Sequence, residues 1–496
     1  MSRRWHDAMQ GHAAQQPEAM ALEDSLGTRW SYAALAQASA DLAEVLRDRN
    51  VRPGDRVMVL AENCATAVAA FFAASQLGAC AVPINARQTA PEIDRILAHA
   101  TPAAIVFTTD ASSDAVAHGQ RMGARDIAGS FGRAQLLALD AGPADAGQDV
   151  AAMLYTTGTT GMPKGVMLTH DNLCFAGQAA AEYRSLSPAS RIYGVAPMTH
   201  VIGLASMMTA SLHAGATVQL EARFSVERLF EAVQAGITHL PAVPQMHALF
   251  MQYVQAQGID GPEDTSLVYV SSGGAPLDPA WKRKAEAFYH LPLQNGYGLT
   301  ECTAAASITF SEIGDPDVSV GQALPEVTLR IDESVPGGGD GEGEVLVRGP
   351  NVMKGYYRNP EETAKVLDAD GWLRSGDLGR IDDQGRLHIL GRTKELIIHG
   401  GFNVYPPEVE AAFNAHPQVV QCAVVGRMVA GDEKVVAFVQ AAPGQAPEVA
   451  ELRRFVAERL TGYKRPSQIV VAQDLPTAPT GKILKHKLLD VFADQL

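Results

Sequence analysis

The stretch Tyr155-Thr-Thr-Gly-Thr-Thr-Gly-Met-Pro-Lys-Gly165 constrains this chain most, because its eleven residues include four Thr, three Gly, one Pro and one Lys. The apolar run Val150-Ala-Ala-Met-Leu-Tyr155 before it reads as a strand, and Leu168-Thr-His-Asp-Asn-Leu173 after it reads as the start of a helix. A Gly-rich turn between such elements can aim backbone N–H groups at an anion, while Thr hydroxyls and Lys164 add donors and charge. That is chemistry for holding a polyphosphate. The order is not G-x-x-x-x-G-K-[ST]: Gly158 and Gly161 flank Thr159-Thr160, and Lys164 is followed by Gly165. On residues alone, a hydroxyl-rich surface turn competes with phosphate binding.

The chain is long, at 496 residues, so more than one domain is expected. Residues 1–150 alternate helical and strand patterns, with a helix over Tyr32–Arg49 and strands at Arg56–Leu60 and Ala104–Phe107. That alternation argues for an α/β domain with largely parallel strands. Ala111–Asp149 is weakly patterned and reads only as a surface excursion. A net charge of −15 argues against a nucleic-acid or anionic-membrane surface. Five scattered cysteines without a C-x-x-C pair suggest neither a disulfide framework nor a zinc site, and fit a reducing cytoplasm. Cys64–Ala86 and Ile192–Leu220 lack Asp, Glu, Lys and Arg, but Gly78, Pro83, Pro197 and His200 interrupt them. They read as buried core, so no integral membrane segment is expected.

Further stations follow in order. Tyr269-Val-Ser-Ser-Gly-Gly-Ala-Pro-Leu277 reads as a strand ending in a Gly-Gly turn, where backbone can approach a flat ligand. In Gln294-Asn-Gly-Tyr-Gly-Leu-Thr-Glu301, Tyr297 can stack on a base, Thr300 can donate to a phosphate, and Glu301 suits Mg²⁺. Asp377, after Gly376, fits a carboxylate accepting from two ribose hydroxyls. His200 lies in an apolar setting where a hydrogen-bonded core residue is the commoner role. Gly203 and Met207-Met208 after it suit the lining of an apolar acyl pocket, with core packing an equal reading for the two Met. Leu475-Pro-Thr-Ala-Pro-Thr-Gly-Lys482 ends the series in a loop lysine.

Thr156–Gly165 together with these stations resembles the adenylate-forming superfamily of acyl-CoA synthetases, luciferases and peptide-synthetase adenylation domains, over nearly the whole chain. The resemblance implies an α/β fold. It has a large N-terminal α/β domain (1–391) with mostly parallel sheets and a β-rich subdomain, then a small mobile α+β C-terminal domain (392–496). It implies ATP-dependent ligation of a carboxylic acid to CoA through acyl-AMP, with Mg²⁺ required. The family pattern assigns ATP or AMP binding to Thr156, Thr157, Gly158, Thr159, Thr160, Gly161 and Lys164 in the phosphate loop. It assigns the adenine turn to Gly273, Gly274, Ala275 and Pro276, and further nucleotide contacts to Asn295, Gly296, Tyr297, Gly298 and Thr300. Asp377 and Arg392 are implied for the ribose or phosphate, Glu301 for the metal and Lys482 for adenylation. His200 resembles the gate between acyl pocket and thiol channel, Gly400 and Gly401 the border of the pantetheine tunnel, Arg223 a CoA contact and Lys394 the hinge. Ile398 stands where coumarate-ligase-like members carry a second Lys, so no role transfers there.

The expected partners are a small-molecule carboxylate, aryl or medium-chain, with ATP and CoA; a homodimer is allowed and nucleic acid is not expected. Two rival readings remain open. One is an adenylation enzyme that loads a separate carrier protein; the other is a non-catalytic nucleotide-binding homologue.

Overall fold

The structure is a computed structural model that describes residues 3–140, 142–157, 163–262, 265–274, 277–400, 402–429, 432–441, 446–477 and 483–496. Of the sequence candidates, Gly158, Thr159, Thr160, Gly161, Ala275, Pro276, Gly401 and Lys482 lie outside the described residues, as does the side chain of Thr157.

Two large sheets carry the fold. Among the described residues, one has eight strands in the order Gly355–Tyr356, Pro163–Thr169, Val150–Thr157, Cys80–Asn85, Arg56–Ala61, Ala104–Phe107, Gly132–Ala138, Arg125–Gly129. Its central strands are parallel and both flanks antiparallel. The other has seven strands, in the order Leu293–Gln294, Tyr269–Ser272, His239–Ala242, Arg191–Gly194, Thr217–Leu220, Met20–Asp24, Arg29–Ser31. It is parallel except for its last pair. The central strands are near-continuous apolar runs because both faces are covered.

The charge-free stretch Cys64–Ala86 resolves into a helix, Ala65–Gln76, and the strand Cys80–Asn85, separated at Gly78 with φ +68°. The helix is apolar all round, as a core helix must be. No helix among the described residues is long and apolar enough to cross a membrane. Asn63 joins the two sheets at their carboxyl ends. Its amide donates to the Gly194 and Ala196 carbonyls at 3.0 and 2.9 Å, and its oxygen accepts from the Met198 N–H at 2.9 Å.

Two sequence expectations change. After the phosphate turn the chain does not enter a helix at Leu168; it returns as the antiparallel strand Pro163–Thr169, and the helix starts at His170 with Thr169 as cap. Pro163 takes the first strand position, where its missing N–H costs no ladder bond. The strands Val150–Thr157 and Pro163–Thr169 on either side of residues 158–162 therefore pair antiparallel, and the helix begins only seven residues after Pro163, at His170. Residues 111–149 are more than a surface excursion. They contain helix Ser113–Met122 and the strands Arg125–Gly129 and Gly132–Ala138, which finish the eight-stranded sheet. Arg125–Gly129 is the edge strand, and Gly132–Ala138, paired on both sides, buries only Ala134 and Leu136, so the hydrophobic signal of this segment is weak.

By contacts the chain separates into two units: Met1–Ala275, Arg283–Leu329 and Val347–Leu373 form the first, and Pro276–Lys282, Arg330–Leu346 and Arg374–Leu496 the second. The second includes the hairpin Leu373–Ile381/Leu387–Arg392, whose turn closes around Asp382, and the sheet Val419–Val429, Asp432–Ala441, Gln468–Ala472. Helices Pro406–Asn414 and Val449–Ala457 cover that sheet through Val409, Phe413, Leu452 and Val456.

Candidate active site

In the phosphate hairpin, Thr156 and Lys164 are register partners, next to the pair Tyr155 and Gly165. Gly165 packs closely on the Met153 side chain: a Cβ there would lie 2.8 Å from the Met153 sulfur, which would have to shift. The Lys164 Nζ donates to Glu362 Oε2 at 2.5 Å and stands 4.9 Å from the centre of the Tyr356 ring. The Tyr356 hydroxyl donates to Glu301 Oε1 at 2.8 Å. Hydrogen bonds from Lys164 and then Lys365 hold the Glu362 carboxyl down at about 2. Burial, with Glu301 and Glu362 nearby, pushes the Tyr356 phenol well up, so it remains a donor. The backbone fixes this arrangement. Strand Gly355–Tyr356 pairs with the hairpin through Met167 and Val166, and the Met353 N–H donates to the Glu301 carbonyl at 2.9 Å. Sequence reasoning missed both Tyr356 and Glu362. The only signal, Asn359-Pro-Glu-Glu362, reads as an ordinary capped helix start.

Glu301 sits in a short turn, Thr300–Cys302, just after the strand Gly296–Tyr297. Gly298 is obligatory, since a Cβ would lie 2.0 Å from the Ala304 carbonyl oxygen. Thr303 and Ala304 beyond it are left-handed, at φ +50° and +83°. Thr303 donates to the Asn351 carbonyl at 2.7 Å, and the Asn351 amide donates to the Ala305 carbonyl at 2.8 Å, which secures the strained turn. Thr300 is buried and Tyr297 half-buried. Asn295 serves the fold: its amide donates to the Ser319 carbonyl at 3.2 Å. Among the described residues no three His, Cys, Asp or Glu group as a metal cage. A single carboxylate steadied by Tyr356 is instead what Mg²⁺ uses when substrate phosphates complete its shell.

Gly273 and Gly274 follow the strand Tyr269–Ser272 at the carboxyl end of the parallel sheet, where such sheets bind ligands. A Cβ on Gly273 would meet nothing within 4 Å, and one on Gly274 only the Val243 side chain at 4.0 Å. This is the open approach a flat base needs. Beneath it His247, fully buried, donates to the Ser271 carbonyl at 3.0 Å and contacts the Tyr289 hydroxyl at 2.9 Å. Burial lowers its pKa to about 4, so it is neutral.

His200 is exposed at the close of the Pro197 turn, immediately before the π-helix Ile202–Thr209. Gly203 is forced, because a Cβ would fall 2.2 Å from the Pro197 carbonyl oxygen. Met207 and Met208 are buried in the core. Arg223 is held by Glu62 at 2.8 Å and Asp114 at 3.2 Å, so its charge already serves the fold.

In the second unit, Asp377 and Arg392 are register partners joined at 2.9 Å, with Asp377 buried and Arg392 half-exposed. Lys394 is exposed in the short turn Thr393–Glu395. Gly400, with φ +59°, follows strand Ile397–His399, and its N–H donates to Asp432 at 2.9 Å. A bridge between Thr477 and Ile483 flanks the stretch that contains Lys482. Lys485 is clamped between Glu395 and Glu410, at 2.8 Å from each.

Comparisons with known proteins show the family. The AMP-binding enzyme family matches residues 9–357, and the AMP-binding enzyme C-terminal domain matches 408–482. A feruloyl-CoA synthase of Amycolatopsis sp is 35% identical over 494 residues, with 96% of each chain covered. A long-chain-fatty-acid–CoA ligase of Mycobacterium tuberculosis is 32% identical over 487 residues, with 95% of each covered. The o-succinylbenzoate coenzyme A synthetase of Bacillus subtilis, solved in complex with ATP and magnesium ion, superposes with TM-score 0.83 at 28% identity, covering 98% of this chain and 99% of that one. The chain thus belongs to the AMP-binding enzymes, the adenylate-forming superfamily that its phosphate hairpin and Tyr297–Glu301 turn resemble.

Proposed function

We propose that this protein is an AMP-forming acid–thiol ligase that joins an aryl or medium-chain monocarboxylate to CoA, with ATP consumed and Mg²⁺ required. The observation that carries the reading is the arrangement around Tyr356, with a phosphate-hairpin lysine over its ring and a lone carboxylate on its hydroxyl. Such a pair suits a triphosphate and its counter-ion. Near full-length likeness to a feruloyl-CoA synthase and a fatty-acid–CoA ligase supports the choice of CoA as acceptor.

In the first step a carboxylate oxygen attacks the α-phosphorus of ATP and pyrophosphate leaves. Lys164 and the threonines from Thr156 to Thr160 hold the β- and γ-phosphates, Thr300 donates to the α-phosphate, and Lys482 offsets charge as it develops there. Glu301 would hold magnesium, which when bound neutralises phosphate charge. Tyr297 and the Gly273-Gly274 turn receive the adenine, and Asp377 with Arg392 receives the ribose. In the second step the thiol sulfur attacks the acyl carbon and AMP leaves with its bridging oxygen. Gly400-Gly401 borders the thiol arm, His200 gates it and Lys394 is the hinge of a domain boundary at 391/392. No side chain is covalently modified. Five cysteines, none of them in a disulfide, fit a cytoplasmic setting.

A panel of aryl and fatty carboxylates, assayed with MgATP for pyrophosphate, AMP and acyl-CoA by mass, tests the proposal. All three products should appear together for at least one acid. ADP with inorganic phosphate would refute it. Acyl-AMP that turns over only with a carrier protein would favour that acceptor over CoA.

A further inference from the structure

The phosphate lysine and the metal carboxylate are not independent in this fold. Lys164 leaves one strand of the hairpin, and its long arm has four rotatable bonds to fix before it can meet a phosphate. Glu362 fixes it from one side at 2.5 Å, and the Tyr356 ring lies 4.9 Å away on another. The side chains of Lys164 and Glu362 are only 20% and 27% exposed, so the pair is more sheltered than a surface ion pair. Glu362 is anchored in its turn. Its backbone N–H is capped by Asn359 at 3.1 Å, and it also accepts from Lys365 at 2.5 Å, which leaves the trio with one net positive charge. On the far side of Tyr356 the hydroxyl orients Glu301 at 2.8 Å.

We propose that Glu362 and Tyr356 are positioning residues of the adenylation site: Glu362 presets the Lys164 ammonium for the triphosphate, and Tyr356 couples that lysine to the metal-holding Glu301. The proposal rests on the assignment of Lys164 to the phosphates and Glu301 to the metal. Neither new residue touches the reacting atoms. Glu362 acts through Lys164, and because Lys365 remains beside it, its carboxylate holds Lys164 without cancelling the local positive charge.

Equilibrium titration of MgATP and Mg-pyrophosphate by calorimetry tests this without reliance on turnover. Glu362→Gln keeps the shape and should weaken both ligands about tenfold, the cost of re-fixing a free lysine arm. Its melting temperature and carboxylate KM should match the unmodified protein. In a Lys164→Ala background the same change should have no further effect, because the route through Lys164 is gone. Tyr356→Phe leaves the ring under Lys164 and removes only the Glu301 contact, so it should reduce the gain in ATP affinity from Mg²⁺ about threefold, one orienting hydrogen bond's effect. Unchanged or tighter MgATP binding in Glu362→Gln overturns the proposal, and so does an effect that persists without Lys164. A Tyr356→Phe protein with the original Mg²⁺ dependence overturns the coupling. If Lys164→Ala alone binds MgATP normally, the phosphate assignment itself has failed, which is a separate and recognisable result.

Discussion

Asp377→Ala should convert this enzyme from one that reads the ribose to one that does not. Asp377 is 4% exposed on strand Leu373–Ile381, and its Oδ1 lies 2.9 Å from the Nε of its register partner Arg392. Gly376 before it is left-handed at φ +74°, with its N–H on Glu344 at 3.0 Å, so the carboxylate is presented from a fixed turn. A hydrogen bond from a hydroxyl to a charged acceptor contributes about 1.5–3 kcal/mol. Loss of both ribose contacts, with water taking part of their place, should cost about 3 kcal/mol, or roughly 100-fold in kcat/KM for ATP. The fold should survive, because the Arg392 side chain is 48% exposed and can turn to water, at a cost of about 1 kcal/mol. The assay compares kcat/KM for ATP, 2′-deoxyATP and 3′-deoxyATP in both proteins. The unmodified enzyme should lose about tenfold with each analogue. Asp377→Ala should treat all three alike. If the variant keeps the same discrimination among the three nucleotides, Asp377 does not hold the ribose and the reasoning fails.

Three further outcomes follow from particular contacts. Asn63→Ala strips partners from two carbonyls and one N–H at the joint of the sheets, and should cost about 2–4 kcal/mol in urea unfolding while raising carboxylate KM through the Met198–His200 turn; a change below 1 kcal/mol would mean that the joint is held elsewhere. Lys482→Ala should reduce pyrophosphate release by orders of magnitude and leave thioester formation from supplied acyl-AMP largely intact; equal loss in both steps of a folded variant contradicts separate roles for the two half-reactions. His247 titrates at about 4, below its usual 6.5, because burial disfavours its charged form, so the unfolded chain binds its proton first on acidification. Its stability contribution is complete above pH 6.5 and disappears as pH falls toward 4, on the order of 3 kcal/mol in all; His247→Gln should flatten that part of the pH–melting curve, and an unchanged slope would assign it to other groups.

The sequence was most legible where one residue type is the only one that fits. Gly298 and Gly203 stand where a side chain would strike a carbonyl oxygen, and both positions were singled out in the sequence. The buried strands Arg56–Ala61 and Ala104–Phe107 were visible as apolar runs because both their faces are covered. Legibility failed where pairing over long sequence distance decides. Pro163–Thr169 looked like the approach to a helix, yet it is a strand because Val150–Thr157 and Gly355–Tyr356 pair with it on either side. Tyr356 and Glu362 acquire meaning only through that pairing, which sets them beside Glu301 and Lys164. Arg223 shows the same limit: the resemblance implies it for CoA, while its carboxylate partners Glu62 and Asp114 come from distant segments that sequence reading does not bring together.

The central claim is that the carboxylate is activated as an acyl-adenylate, and oxygen tracing tests it most directly. A substrate acid found in the carboxylate panel is prepared with ¹⁸O in both carboxylate oxygens and turned over with MgATP and CoA, and the nucleotide product is weighed by mass spectrometry. Attack of the carboxylate on the α-phosphorus leaves one labelled oxygen bridging acyl and phosphate, and thiol displacement releases it on the nucleotide. The account predicts AMP carrying one ¹⁸O, in equal amount to acyl-CoA. Unlabelled AMP, or label found in inorganic phosphate with ADP as the nucleotide product, would contradict it.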